Sequence, residues 1–228
     1  MDKSLTAIIP VKANSARLPN KNLLPFGNST LLGHKIEQLK QVSAITEIIV
    51  SSDSDEMLKI ASDMKVTAQK RPLKYADESV PFGGFLEYIC DNVPNSHILW
   101  ACCTSPLVEP DLYEKAIKLY FEHLDKGFDS LITVLPYQSY LMDENGPINF
   151  KMGLEHKNSE QLPVIFHFTN GINIAPKDKI REWKYNYGPN AYRLKVNKRE
   201  AADIDDIYDY ICAKAMLSLR ADALYVGE

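Results

Sequence analysis

The chain has little of what marks a redox, metal-binding or membrane protein. Its four cysteines, Cys90, Cys102, Cys103 and Cys212, form no CxxC pair and no metal-ligand spacing. They read as reduced, mostly buried thiols of a cytosolic protein, although a catalytic cysteine stays open at this point. The five histidines, His34, His97, His123, His156 and His167, make no HxxxH or triad-like pattern and are expected in ordinary surface or interface roles. Glycine is scarce, with 10 in 228 residues, and neither G-x-G-x-x-G nor a Walker A sequence occurs. That argues against a dinucleotide-binding oxidoreductase. No run is long and apolar enough to span a bilayer. The stretch Met1-Asp2-Lys3-Ser4 leads into a strand-like segment without the apolar core of a signal peptide. Cations are not in excess: 26 Lys and Arg against 30 Asp and Glu give a formal charge of −4. Such a surface offers no broad field for nucleic acid, so any polyanion must be held by a local cluster.

What is present is a folding composition, 45% hydrophobic and 25% charged, at a length that suits one α/β domain over residues 1–228. Leu5 to Val11, Ile45 to Ser51, Ile98 to Cys103 and Ser130 to Leu135 are short continuous apolar runs, as expected for strands buried on both faces of a parallel sheet. Helical spacing lies between them. Leu31 to Val42 places Leu32, Ile36 and Leu39 on one face, and Asp55 to Met64 places Leu58 and Ala61 together. Asp111 to Leu124 opens on a capping-box variant in which Asp111 and Glu114 act reciprocally. A last helix is expected from about Asp206 to Leu219. Strands alternating with helices predict βαβ units. Residues 136 to 168, rich in Asn, Gly and Pro, break that rhythm and read as an inserted hairpin or arm, or else as a disordered loop.

The segment after the first strand, Lys12-Ala-Asn14-Ser15-Ala-Arg17-Leu18-Pro19-Asn-Lys21-Asn22, is the most informative. In an open α/β sheet, ligands bind outside the carboxyl ends of the strands. Three cations within ten residues can surround a triphosphate there. The small residues Ala13, Ser15 and Ala16 let backbone amides approach phosphate oxygens. A solvated basic loop would have the same composition.

With Ile8, Ile9 and Pro10 before it, this segment resembles the signature of the acylneuraminate cytidylyltransferase (CMP-sialic acid synthetase) family, which is related to the CMP-Kdo synthetases. The matches are Ile8, Ile9, Pro10, Ser15, Leu18, Pro19, Lys21 and Asn22. They continue in order through Ser52-Asp53-Ser54, Lys70-Arg71-Pro72 with Asp77 and Ser79, Thr104-Ser105-Pro106-Leu107, Asn170-Gly171 and Asp203-Ile204-Asp205-Asp206. The resemblance spans nearly the whole chain. It implies a three-layer nucleotide-diphospho-sugar transferase fold of the α/β class, with a mostly parallel sheet and an inserted dimerisation arm. It further implies a cytoplasmic homodimer that converts CTP and an acidic sugar to CMP-sugar and pyrophosphate with Mg²⁺. A CMP-Kdo synthetase, or another sugar cytidylyltransferase, is the nearest alternative. Lys21-Asn22 favours the sialic branch, because Kdo enzymes typically carry proline where Asn22 stands. A catalytically weak nucleotide-binding relative is an alternative of another class.

By the same resemblance, Lys12, Ser15, Arg17, Lys21, Asn22, Arg71 and Ser79 face the nucleotide, while Cys102, Ser105 and Asn170 face the sugar. Lys12 and Lys21 neutralise phosphates during transfer, and Asp205 joins them as a catalytic group. Asp203 and Asp205, at i and i+2 of an extended segment, share a side and form a metal pair, with Ile204 pointing into the core. Asp206 would then cap the last helix. Simple readings stand beside these: Arg71 as a surface arginine before a turn proline, Asn170 as a turn residue, and the aspartates as helix-start residues. Two departures from the family pattern are Lys12, where relatives have arginine, and Cys102, where they commonly have glutamine. Arginine offers a planar fork that lysine lacks, and a thiol is a poor hydrogen-bond partner.

Overall fold

In a computed structural model that describes residues 2–15, 17–77 and 79–219, the chain forms seven main strands and six helices. The elements run β1 (Leu5–Pro10), β2 (Pro25–Phe26), β3 (Ser29–Thr30), α1 (Leu31–Lys40), β4 (Glu47–Ser52), α2 (Asp55–Asp63), β5 (Thr67–Lys70), α3 (Phe82–Asp91) and β6 (His97–Trp100). They continue with α4 (Pro110–Leu124), β7 (Ser130–Tyr137), β8 (Met142–Asp143), β9 (Gly146–Pro147), β10 (Ile165–Pro176), α5 (Lys177–Trp183), β11 (Ala191–Lys195) and α6 (Ile207–Ser218). The central sheet has the order β11-β7-β10-β6-β1-β4-β5. All neighbours pair in parallel except β10, which runs antiparallel to both β6 and β7.

Alternation along β1 explains the three layers. Leu5, Ala7 and Ile9 face a core shared with α1, α2, α4 and α6, whereas Ile8 joins Phe85, Leu86 and Ile89 of α3 and Ile180 of α5 on the other side. A strand covered on both faces needs a continuous apolar run, which is the pattern the sequence carries. On α1, Leu32, Ile36 and Leu39 are fully buried as their spacing predicts. On α2 the buried pair is Met57 and Ala61, with Leu58 only part-buried, so the buried stripe is rotated by one residue.

Several expectations need correction. Glu109 precedes α4 without a side-chain cap, and Pro110 takes the first turn. Glu114 instead accepts from the Ser43 backbone N–H at 2.6 Å and its hydroxyl at 2.9 Å. His97 and His34 are not surface residues: His97 is buried between the Tyr120 hydroxyl and the Asp2 carbonyl, and His34 packs on Phe26 beside the Pro106 carbonyl. The arm is shorter than 136–168, because β7 and β10 keep pairing out to Tyr137 and Ile165. Only residues 138–164 lie beyond that ladder. Within them, β8 and β9 close on a turn in which Asp143 Oδ1 accepts from Asn145 and Gly146 N–H, and Gly146 takes a φ of 124°. At α6, Asp206 caps as expected, in a reciprocal box with Asp209.

Lys35 on α1 is completely buried. Its ammonium donates to the Ser105 carbonyl and the Tyr113 hydroxyl, both at 2.9 Å and both neutral. Burial pushes its pKa from the usual 10.5 down to about 8. The folded chain therefore releases this proton at lower pH than the unfolded chain, and stability rises as pH passes from about 8 towards 10.5. Urea unfolding at pH 7 and pH 10 should show wild type gaining about 2 kcal/mol relative to Lys35→Met. A gap that does not change with pH would mean that Lys35 titrates normally.

Candidate active site

The carboxyl ends of β1, β4, β5 and β6 lie along one edge of the sheet, and the expected site residues gather there. After β1, the chain forms an irregular loop and a single turn of 3₁₀ helix at Lys21–Leu23. After β4 comes Asp53, whose Oδ1 accepts from the Ala13 N–H at 2.9 Å. After β5 comes Arg71, only 4% exposed, which donates to the Val11 carbonyl, lies 4.0 Å from Asp53 and covers the Phe85 ring at 4.9 Å. Arg71 is thus no surface arginine; it is a strut beneath the loop. Asn22 is likewise buried, and its Nδ2 donates to the Lys12 carbonyl at 3.4 Å.

The loop's other contact reaches across the chain. Lys21 Nζ donates to the Ile204 carbonyl at 2.6 Å and lies 3.6 Å from Asp205 Oδ1, with its side chain 11% exposed. Arg17, on the solvent side, pairs with the same Asp205 oxygen at 2.8 Å. Ile204 is fully buried, so Asp203 and Asp205 flank it on the open side, as expected for i and i+2. Burial raises the Asp203 carboxyl above its usual 3.8; a hydrogen bond from Thr104 opposes this, and the charge of Asp205 adds to it. Asp203 is exposed as a residue, and its carboxyl accepts a hydrogen bond from Thr104. Two carboxylates in this position suit a cation. Among the described residues no group of three or more His, Cys, Asp or Glu could hold a metal alone. A divalent ion bound here would need further ligands from a substrate, as Mg²⁺ commonly takes from phosphates.

Lys12 and Ser15 line a groove of about 290 Å³ with Asn14, Asp53 and Asp77. Beside it a second depression of about 460 Å³ runs from Pro10, Lys12 and Arg71 to the rings of Tyr75, Phe82 and Phe85. Ser79 stands apart from the cations: it is exposed and its hydroxyl turns back to the Lys74 carbonyl at 3.2 Å. Cys102 and Asn170, both expected from the sequence to face the sugar, lie together: Cys102 Sγ receives the Asn170 Nδ2 at 3.8 Å. Burial, and next the charge of Asp203, pushes the Cys102 thiol up to about 12, and burial does the same to Cys103. Both are neutral at pH 7, which leaves no thiolate nucleophile there. Ser105 is buried and offers its carbonyl to Lys35 instead of facing the groove. Sequence reading passed over Asp53 and Lys35 as functional elements. The position of Asp53, immediately past a parallel strand, is the signal that could have found it.

An open α/β sheet with a basic loop and an acidic pair at its carboxyl edge defines a nucleotide-handling transferase. Residues 6–148, well over half of the chain, match the family model described as Cytidylyltransferase, and the chain belongs to that family. Among curated relatives, the pseudaminic acid cytidylyltransferase of Campylobacter jejuni serotype O:2 is 22% identical over 228 aligned residues, covering 96% of this chain and 98% of that one. The CMP-N,N'-diacetyllegionaminic acid synthase of Legionella pneumophila is 26% identical, covering 96% and 99%. A Helicobacter pylori protein that combines pseudaminic acid cytidylyltransferase with a hydrolase is 25% identical over 211 residues; the chain spans 40% of its length. Among solved structures, a CMP:2-keto-3-deoxy-manno-octonic acid synthetase complexed with CTP aligns with a TM-score of 0.70 at 14% identity, covering 94% of this chain and 98% of that one. A 4-diphosphocytidyl-2C-methyl-D-erythritol synthase from Anaerococcus prevotii aligns at 0.64 and 12%, covering 96% and 100%. These structures share the fold.

The two arginines should behave differently. Arg71→Met leaves the buried Asp53 carboxylate without its cation and should lower unfolding free energy by about 3 kcal/mol or more. Arg17→Ala breaks an exposed pair and should change it by no more than about 1 kcal/mol. Denaturant titration of both variants checks this; equal losses would mean that Arg71 is no strut.

Proposed function

We propose that the chain transfers the CMP part of CTP to the anomeric oxygen of an acidic, sialic-type nonulosonic sugar and releases pyrophosphate. The observation that carries this reading is the contact of Lys21 and Arg17 with the Asp203–Asp205 segment, which makes the basic loop and the acidic pair one site. The activities of the relatives, on pseudaminic, N-acylneuraminic and legionaminic acids, support the substrate class. No helix among the described residues is long and apolar enough to cross a membrane, and the free cysteines Cys90, Cys102, Cys103 and Cys212 suit a cytoplasmic setting.

In this mechanism the sugar hydroxyl loses its proton as its oxygen bonds to the α-phosphorus; the bond from that phosphorus to the β-phosphate bridging oxygen breaks, and pyrophosphate leaves with the electron pair. Charge stabilisation and positioning do most of the work in such transfers. Lys12, Arg17 and Lys21 offset charge on the triphosphate. Asp203 and Asp205 would hold Mg²⁺, which when bound supplies further charge neutralisation at the phosphates. Asp205 would take up the proton released by the sugar hydroxyl. Arg71 and Asp53 keep the loop in place beneath the nucleotide.

The same reading includes a homodimer. Met142, Ile148, Met152, Leu154 and Val164 are exposed along the arm, and a cavity of about 750 Å³ there is walled partly by Ile148, Phe150, Leu154 and Leu162. So much uncovered apolar surface on a segment without its own core suits a partner copy.

Pyrophosphate release with each of the four nucleotides and a panel of acidic sugars should be selective for CTP with a nonulosonic acid. Equal turnover with ATP, or none with any acidic sugar, would sink the assignment.

Assembly and metal use separate in two variants. Removing residues 138–164 should give a monomer by light scattering that still binds CTP. Asp203→Asn should remain a dimer but require a much higher Mg²⁺ concentration for half-maximal rate, because an amide keeps the shape and loses the charge. A monomeric wild type would overturn the first claim, and an unchanged Mg²⁺ titration the second.

A further inference from the structure

Between Phe168 and Asn173 the pairing of β10 with β7 slips: Phe168 faces Val134 and Asn173 faces Ile132, so Thr133 stands opposite residues 169–172. Such a bulge commonly re-aims a side chain near a functional site. Two buried hydroxyls close it. Thr169 Oγ1 donates towards Thr133 Oγ1 at 2.8 Å and its carbonyl at 3.1 Å, and Thr133 Oγ1 accepts from the Ile172 N–H at 3.0 Å. At the crest Asn170 takes the left-handed conformation, φ 53°, which asparagine tolerates better than most residues.

Asn173, three residues on, is fully buried. Its Nδ2 donates to Asn170 Oδ1 at 2.5 Å, while Asn170 Nδ2 points to Cys102 Sγ at 3.8 Å. Asn173 Oδ1 has no partner among the described residues. A buried amide left half-satisfied is a poor choice for stability, since an apolar side chain would avoid the desolvation. Its one contact does something else: it engages Asn170 Oδ1 and so holds the Asn170 Nδ2 on the side of Cys102. Sulfur is a weak acceptor, so Cys102 does not hold those donors tightly.

We infer that Asn173 is a positioning residue that locks the Asn170 carboxamide with its N–H groups facing the sugar, so that the site selects a sugar with a hydrogen-bond acceptor, a carboxylate or acyl carbonyl, at that point. The sugar half of this inference rests on the proposed cytidylyltransferase activity; the orientation of Asn170 does not.

Two measurements test it. In the ligand-free ¹⁵N-labelled protein, the Asn170 carboxamide protons should show cross-peaks to the Cys102 side chain, and Asn173→Leu should lose them while melting at the same temperature or higher. Cross-peaks unchanged in Asn173→Leu, or a large fall in melting temperature, overturn the inference whatever the enzyme's activity. In the kinetic arm, with an acidic sugar and CTP, Asn173→Leu should raise the sugar KM about tenfold, the worth of one hydrogen bond, with KM for CTP and kcat nearly unchanged. Asn173→Asp, which cannot donate to Asn170 Oδ1, should be impaired as well. In an Asn170→Ala background, Asn173→Leu should have no further effect on that KM. An unchanged sugar KM, a parallel rise in the CTP KM, or additive losses in the double variant overturn it. Wild type that releases no pyrophosphate with any acidic sugar sinks the proposed activity, and the cross-peaks then decide the orientation alone.

Discussion

A guanidinium buried beneath the first loop is the constraint on which the site edge depends. Arg71 is too enclosed for water to satisfy it, so its charge and donors must be met by the protein. The Val11 carbonyl, the Asp53 carboxylate 4.0 Å away and the face of Phe85 meet most of them, while Nε has no hydrogen-bond partner among the described residues. Asp53 in turn accepts from Ala13, so one buried pair fixes two successive stretches of loop backbone and ties the ends of β1, β4 and β5 together. Asn22 and Lys21 secure the far end of the loop, the one on the Lys12 carbonyl and the other on Ile204. The loop from Val11 to Leu24 holds no glycine, and among its described residues Asn20 alone takes the left-handed region.

At this edge the loop cations and the acidic segment before α6 meet at Asp205. Lys12, Arg17 and Lys21 lie on the loop, Asp203 and Asp205 on the segment before α6, and Asp205 meets both Arg17 and Lys21. The Arg17 contact is exposed, whereas the Lys21 contact is enclosed and ties the two segments. On the other flank the polar groups are neutral: two protonated thiols and a pair of asparagine amides. A charged half therefore stands beside a half whose polar groups are neutral.

The strands that bury both faces were legible in the sequence because such burial demands an unbroken apolar run, and β1, β4, β6 and β7 carry one. Edge strands have no such demand. Thr67–Lys70 is half solvent-facing and gave no signal, and Ala191–Lys195 buries only Ala191 and Leu194. Helix α3 was hidden by Pro81 and the Gly83-Gly84 pair at its start, although Phe85, Leu86, Ile89 and Cys90 form a plain helical face beyond them. The ordered short motifs led to the cytidylyltransferase family and to the right edge of the sheet. They could not show what lies beneath it. The contact between Lys21 and Ile204 joins residues 183 positions apart, and the burial of Arg71 depends on Phe85 from an element that had not been foreseen. The capping box proposed at Asp111 failed because Pro110 moved the helix start one residue earlier, leaving Glu114 free to tie Ser43 instead.

The lone antiparallel strand also sets an order of events during synthesis. β10 lies between β6 and β7, yet it is made after the whole arm, so Trp100 waits for Asn173 before that side of β6 is closed. Until then β1, β4, β5 and β6 can pair among themselves, but the half-made sheet ends in an open, apolar edge strand. That edge is His97–Trp100, every residue of which is buried once the chain is complete. Synthesis thus passes through a stage in which a strand destined for full burial lies at an open edge, and the arrival of residues 165–176 is what ends that exposure.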